Sequence, residues 1–299
     1  MTFVSAAITS NLRSRNPPAE PVVGGPTLPS LSTVSYNTKY GPNEEADFDE
    51  LVDFTVSHGG EKAWMYQDFD AAVPKLLEYD MGTAHDLSTM SYNGISAQVC
   101  SYSTQRFRGM DWKSDGMSIF FVGYNDVKLS QIDVGTAYDM DWSASPTPDA
   151  TFDLSNEYGT SDCLGLQMWQ DGSAFLVTGD TEVVSRYTMS TPWDITTASL
   201  HSQGTLAESS NLFDCIMSDD GTRVWALSVS GEHVRQYTLS TPYDLSTESY
   251  DSISMALNGA ATYSNPLSLF VPADGAKVLY VGWYGTTAAT TLVEQYTWT

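Results

Sequence analysis

A single segment recurs along this sequence at intervals of about fifty residues. Its clearest copies span residues 186–200 and 236–250, and both contain Tyr-Thr-(Met or Leu)-Ser-Thr-Pro-aromatic-Asp. A period of roughly 40–50 residues with about four strands per unit is typical of β-propeller blades. This repeat constrains the fold more than any other feature of the chain.

Each unit also contains a tight glycine turn between two short apolar runs. The turn is Asp-Gly in four units and Gly-Gly in the first, and Asp-Gly in this context is a strong β-hairpin signal. The successive turn glycines are 56, 56, 49 and 54 residues apart; they are Gly60, Gly116, Gly172, Gly221 and Gly275. This register predicts five blades, with small and apolar residues on the inner strands beside the channel.

The two ends of the chain are predicted to share one blade. The fifth unit stops before the Asp-Leu-Ser-Thr segment that ends the others, and a matching Leu-Ser-Thr-Val-Ser-Tyr-Asn stands at residues 31–37. Pairing both ends would remove exposed strand edges. We therefore predict an all-β, five-bladed β-propeller over residues 31–299, with residues 31–37 completing the C-terminal blade.

Residues 1–30 differ from the repeats because they are rich in proline and glycine. That composition excludes a regular helix or a central strand and predicts an extended arm. The arm is either a flexible tail or a docking arm that anchors the chain on a partner subunit. Its candidate partner-binding residues are Phe3, Ile8, Leu12, Arg13, Arg15, Pro17 and Pro18.

Composition narrows the range of partners. The net charge is −24, from 37 acidic and 13 basic residues, so the surface repels nucleic acid and anionic membranes. The acidity serves either solubility or adaptation to salty water. The sequence has no run of 18 apolar residues, so no membrane span is predicted. The N-terminus lacks the basic residues with which a signal peptide begins.

Cysteine and histidine give no sign of a metal or disulfide site. The three cysteines have no CxxC spacing and are predicted to be buried free thiols: Cys100, Cys163 and Cys215. The four histidines lie at predicted turns without metal-ligand spacing: His58, His85, His201 and His233. Neither GxSxG nor a phosphate loop is present, although a Ser-His-Asp triad needs no fixed spacing. We expect no cofactor, metal or catalytic residue.

Two sets of aspartates recur at fixed places in the repeat. Equivalent positions of different blades lie around the ring, so we interpret both sets as turn-forming residues rather than a shared site. One set follows the Thr-Pro or Thr-Ala turn: Asp86, Asp139, Asp194 and Asp244. The other belongs to the Asp-Gly hairpins: Asp115, Asp171, Asp220 and Asp274.

Aromatic residues recur in register as well. Four tyrosines are predicted to pack between blades: Tyr79, Tyr187, Tyr237 and Tyr296. Another four aromatics lie in or near turns, where they either pack at the blade edge or contact a glycan or partner: Trp142, Trp193, Tyr243 and Trp283.

The repeat resembles one that is common in virion proteins of marine bacteriophages and in marine bacterial proteins. The resemblance is carried by Asp-Gly with a following apolar-x-Val-x-Gly run, then Gln-Tyr-Thr-Leu-Ser-Thr-Pro-Tyr-Asp-Leu-Ser-Thr. In outline it is also similar to YVTN and NHL propeller repeats. It covers residues 44–299 and is best in the third and fourth units; the second departs, with Ile132 in place of tyrosine and Trp142 in place of Ser or Thr.

The resemblance implies a non-enzymatic virion structural protein, either a head decoration or a tail- or fibre-associated protein assembled in the host cytoplasm. Its partners would be capsid or tail subunits in multiple copies, and a host-surface glycan is a further candidate. The alternatives are a propeller enzyme of the lactonase or glycosidase type and a bacterial scaffold propeller. An enzyme should collect unlike polar residues at one mouth of the channel.

Overall fold

The computed structural model describes residues 25–41, 51–67, 74–99, 106–124, 126–140, 146–206, 209, 211–258, 265–284 and 291–299. Within these ranges twenty strands form five four-stranded antiparallel sheets. Successive sheets follow the five repeats of the sequence, and each sheet is one blade.

In each blade the strands follow one another from the channel outward. Blade 1 has β2 (Leu51–Val56), β3 (Lys62–Gln67), β4 (Lys75–Met81) and β5 (Met90–Gln98). Blade 2 has β6 (Phe107–Trp112), β7 (Ser118–Gly123), β8 (Lys128–Asp133) and β9 (Ala150–Asp153). Blade 3 has β10 (Cys163–Met168), β11 (Ala174–Gly179), β12 (Val183–Met189) and β13 (Ala198–Thr205). Blade 4 has β14 (Leu212–Met217), β15 (Arg223–Ser228), β16 (His233–Leu239) and β17 (Glu248–Ala256). Blade 5 has β18 (Pro266–Phe270), β19 (Val278–Trp283), β20 (Leu292–Thr297) and β1 (Ser35–Tyr40).

Short helical turns connect some of these strands. One α-helical turn, α1 (Ser155–Tyr158), links blades 2 and 3. Four 3-10 turns precede outer strands: Leu31–Thr33, Leu87–Thr89, Ile195–Thr197 and Leu245–Thr247.

The five inner strands close into a ring. Each contacts the inner strand of the next blade, in the cyclic order β2, β6, β10, β14, β18 and back to β2. Five apolar clusters of described residues fill the spaces between neighbouring blades. The four register tyrosines are at most 2% exposed in these clusters, which confirms their predicted packing role. The predicted five-bladed propeller is confirmed.

The N-terminal strand completes the last blade, as the sequence predicted. β1 is antiparallel to β20, with Ser35 opposite Thr297 and Lys39 opposite Glu294. The 3-10 turn Leu31–Thr33 stands before β1 just as similar turns stand before β5, β13 and β17. One blade is therefore built from both ends of the described chain.

The last residues of the predicted arm lie on the propeller. Gly25 donates its N–H to Asp219 at 2.8 Å, and Asp219 donates its own N–H to Pro26 at 2.9 Å. Leu28 is only 5% exposed and belongs to the cluster between blades 4 and 5. Residues 25–30 thus pack against the same chain, whereas residues 1–24, with every candidate binding residue of the arm, lie outside the described residues.

Both sets of repeated aspartates form turns. The first set caps 3-10 turns: Asp86, Asp194 and Asp244 accept the N–H groups of Ser88, Thr196 and Ser246 at 3.0–3.1 Å. Asp139 forms the same backbone turn, donating its N–H to Thr136. The hairpin set, Asp115, Asp171, Asp220 and Asp274, accepts the N–H two residues further on at 2.8–3.1 Å. These interpretations are confirmed.

The two repeated turns of a blade pack against each other. In blade 4, Tyr243 has a φ of 65° and donates its N–H to the carbonyl of Gly221 at 2.8 Å. Its ring lies over that glycine, where a Cβ would overlap the ring. Gly221 itself has a φ of 65°, so glycine is required both for its conformation and for the space. His85, Tyr138 and Trp193 repeat the arrangement over Gly60, Gly116 and Gly172.

These residues also reach the preceding blade, so they act as wedges between blades. Trp193 stacks on Phe120 of blade 2 with ring centroids 5.8 Å apart. Tyr243 lies under the guanidinium of Arg186 of blade 3 at 4.6 Å. His85 of blade 1 bonds to Asp274 of blade 5 at 2.8 Å. One turn therefore fixes both the shape of its blade and the contact with its neighbour.

Substituting Gly221 with alanine should destabilise the propeller by roughly 1–3 kcal/mol, because the new Cβ would both strain the positive φ and displace Tyr243. Urea unfolding followed by circular dichroism measures the change. Gly135→Ala is the matched control, since its Cβ would meet nothing within 4 Å, and it should shift stability by less than about 0.5 kcal/mol. Equal effects at the two glycines would contradict the wedge.

Candidate functional site: the channel and its open mouth

Each inner strand has a buried polar side chain in the channel that bonds to the next blade. The five are no more than 7% exposed: Asp53, Asp111, Gln167, Asp214 and Ser268. Those of blades 1, 4 and 5 directly follow the β-bulge of their strand. The polar side chains of blades 2 and 3 stand two residues further along their strands. Because side chains alternate between the two faces of a strand, they lie on the same face as the other three. The inner strands were predicted to carry small and apolar residues, and these polar positions correct that expectation.

All five side chains bond to the backbone of the next blade. Asp53 accepts the N–H of Met110 at 2.5 Å, and Asp111 that of Met168 at 2.8 Å. The remaining three links run from Gln167 to both the N–H and the carbonyl of Met217, from Asp214 to the N–H of Leu269, and from Ser268 to the N–H of Phe54. Five links join five blades in one closed circle, which we call the channel ring.

The three carboxyl groups of the channel ring have both oxygens occupied. While Oδ2 accepts an N–H from the next blade, Oδ1 accepts the N–H of the following residue in its own strand at 2.8 Å, namely Phe54, Trp112 or Cys215. A buried polar group is stable only when its hydrogen bonds are made. Asp111 and Asp214 satisfy that condition through backbone donors, and Asp53 accepts an additional bond from the Ser268 hydroxyl.

Burial dominates the acidity of the channel aspartates. It raises the pKa of Asp53 and of Asp111 to about 7, and it raises the pKa of Asp214 well above its ordinary range. Repulsion between the carboxyl groups adds to the rise, while the backbone N–H donors oppose it. Across the described ranges, no group of three or more His, Cys, Asp or Glu side chains could hold a metal ion.

The two ends of the channel differ. At the hairpin end, where the inner strands finish, the spaces beside Asp111 have volumes of about 20 Å³. The opposite end, where the inner strands begin, opens into a cavity of about 470 Å³. We call this the mouth cavity. Blades 2 to 5 all contribute to its walls, which makes it the candidate ligand site of the described structure.

The mouth cavity has an apolar floor and a polar rim. Leu164, Leu212 and Leu267 form the floor and are at most 8% exposed. Arginine, asparagine, aspartate and tyrosine side chains form the rim: Arg106, Arg108, Asp180, Asn211, Asn265 and Tyr284.

Rim positions share a backbone arrangement but differ in side chain. In blades 2 to 5, the residue before the inner strand accepts an N–H from the residue that follows the second strand, as when Asn211 accepts from Val229 and Asn265 from Tyr284, both at 3.0 Å. The equivalent acceptors of blades 2 and 3 are Arg106 and Asp162. Because the backbone is constant while the side chains are not, the rim is where the blades diverge chemically.

The positive charge of the rim is concentrated in blade 2. The guanidinium groups of Arg106 and Arg108 lie 5.3 and 4.6 Å from the ring centroid of Tyr124. Tyr124 is hydrogen-bonded to Asp162. Burial raises the pKa of Asp162 above its ordinary value, and the bond to Tyr124 and the charges of the two arginines partly oppose this rise. Opposed charges therefore meet on one side of the mouth.

The predicted contact aromatics are distributed over three different environments. Trp193 and Tyr243 are half-buried wedges between blades, and their glycan or partner contact stays a prediction. Trp283 is fully buried and donates its indole N–H to Glu294 at 2.9 Å, so its assignment as a surface contact is wrong. Trp142 lies outside the described residues.

Two of the three cysteines are described, and both are buried free thiols as predicted. Burial raises the thiol pKa of Cys163 and of Cys215, which makes both unreactive at neutral pH. Cys100 lies outside the described residues.

Sequence reasoning missed both the channel ring and the rim. A signal for the ring exists, since Val-Asp-Phe, Met-Asp-Trp and Phe-Asp-Cys each place one aspartate inside an apolar run. The rim has no such signal, because its side chains differ between blades and form no repeated pattern.

Comparisons with known proteins reveal resemblance in fold alone. No family model and no curated protein matches the chain. Among solved structures, a protein of unknown function from Desulfotomaculum acetoxidans is 12% identical, with a TM-score of 0.41 over 82% of this chain and 68% of that one. A candidate 6-phosphogluconolactonase from Bacteroides fragilis is 11% identical, with a TM-score of 0.48 over 85% of each chain. The β-propeller domain of Cps50 (Swd1) from Myceliophteria thermophila is 10% identical, with a TM-score of 0.44 over 83% of this chain and 84% of that one.

The channel aspartates predict a stability that falls as pH rises. Their pKa values in the folded state lie above the ordinary value of 3.8, so the folded state holds protons that the unfolded state releases. Their stabilising contribution is complete below about pH 4 and is lost as the pH rises through about 7. For Asp111 the loss is on the order of 4 kcal/mol, at about 1.4 kcal/mol per pKa unit.

Chemical unfolding at pH 4.5 and pH 8 measures this loss. Asp111→Asn should reduce the difference between the two pH values, because the side chain no longer titrates. Asp80→Asn, at a carboxylate that is 56% exposed, should retain the wild-type difference. An unchanged pH dependence in Asp111→Asn would contradict the assignment.

Proposed function

We propose that the chain is a non-enzymatic virion structural protein, a head decoration or a tail- or fibre-associated subunit, which displays its propeller for binding. The similarity of its repeats to those of marine phage virion proteins supports this role. A net charge of −24 suits a particle that encounters seawater, where salt screens the repulsion between acidic groups.

The hydrogen bonds of the channel carboxyl groups support the proposal that the chain is not an enzyme. A general base or a nucleophile needs a lone pair directed at a substrate. Asp53, Asp111 and Asp214 instead direct both oxygens at backbone N–H groups. These carboxyl groups join neighbouring blades. Ligand recognition at the mouth cavity is therefore the role that the site supports best.

The position of Gly25 supports attachment through the arm. Gly25 and Pro26 bond to Asp219, which lies in the hairpin turn of blade 4. That turn stands at the hairpin end of the ring, opposite the mouth cavity. An anchor that leads away from residue 25 would therefore start on the far side from the mouth and leave the mouth free.

Deleting residues 1–24 should separate folding from attachment. The contacts of the arm with the propeller begin at Gly25 within the described residues, so we expect the shortened chain to melt within a few degrees of the full chain. We also expect it to be lost from virus particles purified on a density gradient, while the full chain co-purifies with the capsid. Immunodetection and thermal melts provide the two measurements.

A full chain that is absent from purified particles would overturn the proposal. So would a shortened chain that is incorporated as well as the full one. Turnover of lactone or glycoside substrates by the purified chain would favour the enzyme alternative instead.

A further inference from the structure

We infer that the mouth cavity binds a small carboxylated sugar, with Arg106 and Arg108 holding its carboxylate. The inference rests on the proposed function only in treating the propeller as a binding module, and it holds whether or not the module belongs to a virion. No residue of the channel ring takes part in it.

The position of Arg108 is the first argument. In every blade, one residue of the inner strand is skipped in the pairing with the second strand, and in blade 2 this residue is Arg108. The other four blades have apolar residues at the equivalent position: Val52, Leu164, Phe213 and Leu267. The packing of the inner strand is thus satisfied by an apolar side chain at this position, so packing alone does not call for an arginine.

A second argument is that both guanidinium groups lie against the same tyrosine ring. Arg106 and Arg108 share the ring of Tyr124 at 5.3 and 4.6 Å, which restricts both side chains before a ligand arrives. Arginine donates two parallel hydrogen bonds to a carboxylate, a geometry that lysine cannot match. Two of the 13 basic residues of a strongly acidic chain therefore line the mouth cavity.

Nearby carboxylates limit the charge that the site accepts. Asp162 acts electrostatically on both arginines and on Asp180, and Asp180 itself lines the cavity. They offset part of the positive charge, so a ligand with one negative charge fits better than a polyphosphate or a nucleic acid.

The remaining lining points to a sugar as the body of the ligand. A volume of about 470 Å³ suits a small molecule rather than a polymer. Asn211 and Asn265 are exposed at the rim, and an amide group can both donate to and accept from hydroxyls. The Nδ2 atom of Asn211 also donates a hydrogen bond to Ser230 at 2.7 Å. Leu164 and Leu267, which are 5% and 8% exposed, supply an apolar surface for the less polar face of a ring.

Isothermal titration calorimetry with the full chain tests the inference. The probes are glucuronate, galacturonate and N-acetylneuraminate, with glucose as the neutral control and inorganic sulfate as the simple anion. We expect at least one acid sugar to bind at millimolar or lower concentration, and to bind at least about tenfold more tightly than glucose or sulfate, because only it satisfies the arginines and the asparagines together.

Arg108→Leu is the decisive variant because it gives blade 2 the kind of residue found in the other blades. We expect it to melt like the wild type and to weaken acid-sugar binding by about tenfold or more. Lys277→Leu removes one positive charge at the hairpin end and should leave binding unchanged. If Arg108→Leu does not fold, Arg106→Gln provides the same test.

Three results would overturn the inference: no acid sugar binds the wild type at millimolar concentration, glucose or sulfate binds as tightly as the acid sugars, or neither arginine variant weakens binding. Each is independent of incorporation into particles, so failure of sugar binding is distinguishable from failure of the virion role.

Discussion

The channel ring is the interaction on which the rest of the propeller depends. Neighbouring inner strands in a propeller are not paired edge to edge, so backbone bonds alone cannot join the blades. One side chain per blade supplies the missing connection, from Asp53 to Met110 and onward to the return from Ser268 to Phe54. Each such bond contributes only about 1 kcal/mol, but breaking one leaves a buried polar group unsatisfied, which costs about 1–3 kcal/mol. The wedges at the hairpin end and the shared fifth blade reinforce the same closure.

This arrangement separates structural from functional chemistry. Repeated residues form the hairpin turns and the wedges of blades 1 to 4, and a polar residue of each inner strand forms an interblade bond; all of these lie at the hairpin end or along the channel. Residues that differ between blades, such as Arg106 and Arg108, gather at the mouth cavity. Within the described residues no helix is long and apolar enough to cross a membrane. Because the channel ring joins the blades, side chains at the rim can change without disturbing the contacts between blades. A repeat fold can therefore have one asymmetric cavity.

Much of the fold could be predicted because repetition makes local signals mutually consistent. The Asp-Gly turns indicated the number of blades, and the displaced copy at residues 31–37 indicated the closure. Asp53 was missed because a polar residue in a strand normally indicates an exposed face, and only the assembled ring turns that face inward. For Trp283, packing and surface contact were both left open, because a position near a turn in the sequence does not show whether the side chain lies inside a blade; the structure places it inside. The mouth cavity could not be predicted, because its residues come from four blades and share no pattern.

The central claim, that the channel ring holds the blades together, is tested most directly by hydrogen exchange at individual amides. The N–H groups of Met110, Met168, Met217, Leu269 and Phe54 are the donors of the ring. If these bonds hold the blades together, the five amides should exchange only through global unfolding and should rank among the slowest in the chain. Exchange of these amides at the rate of the hairpin-turn amides, such as that of Met117, would show that the blades separate locally and would contradict the account.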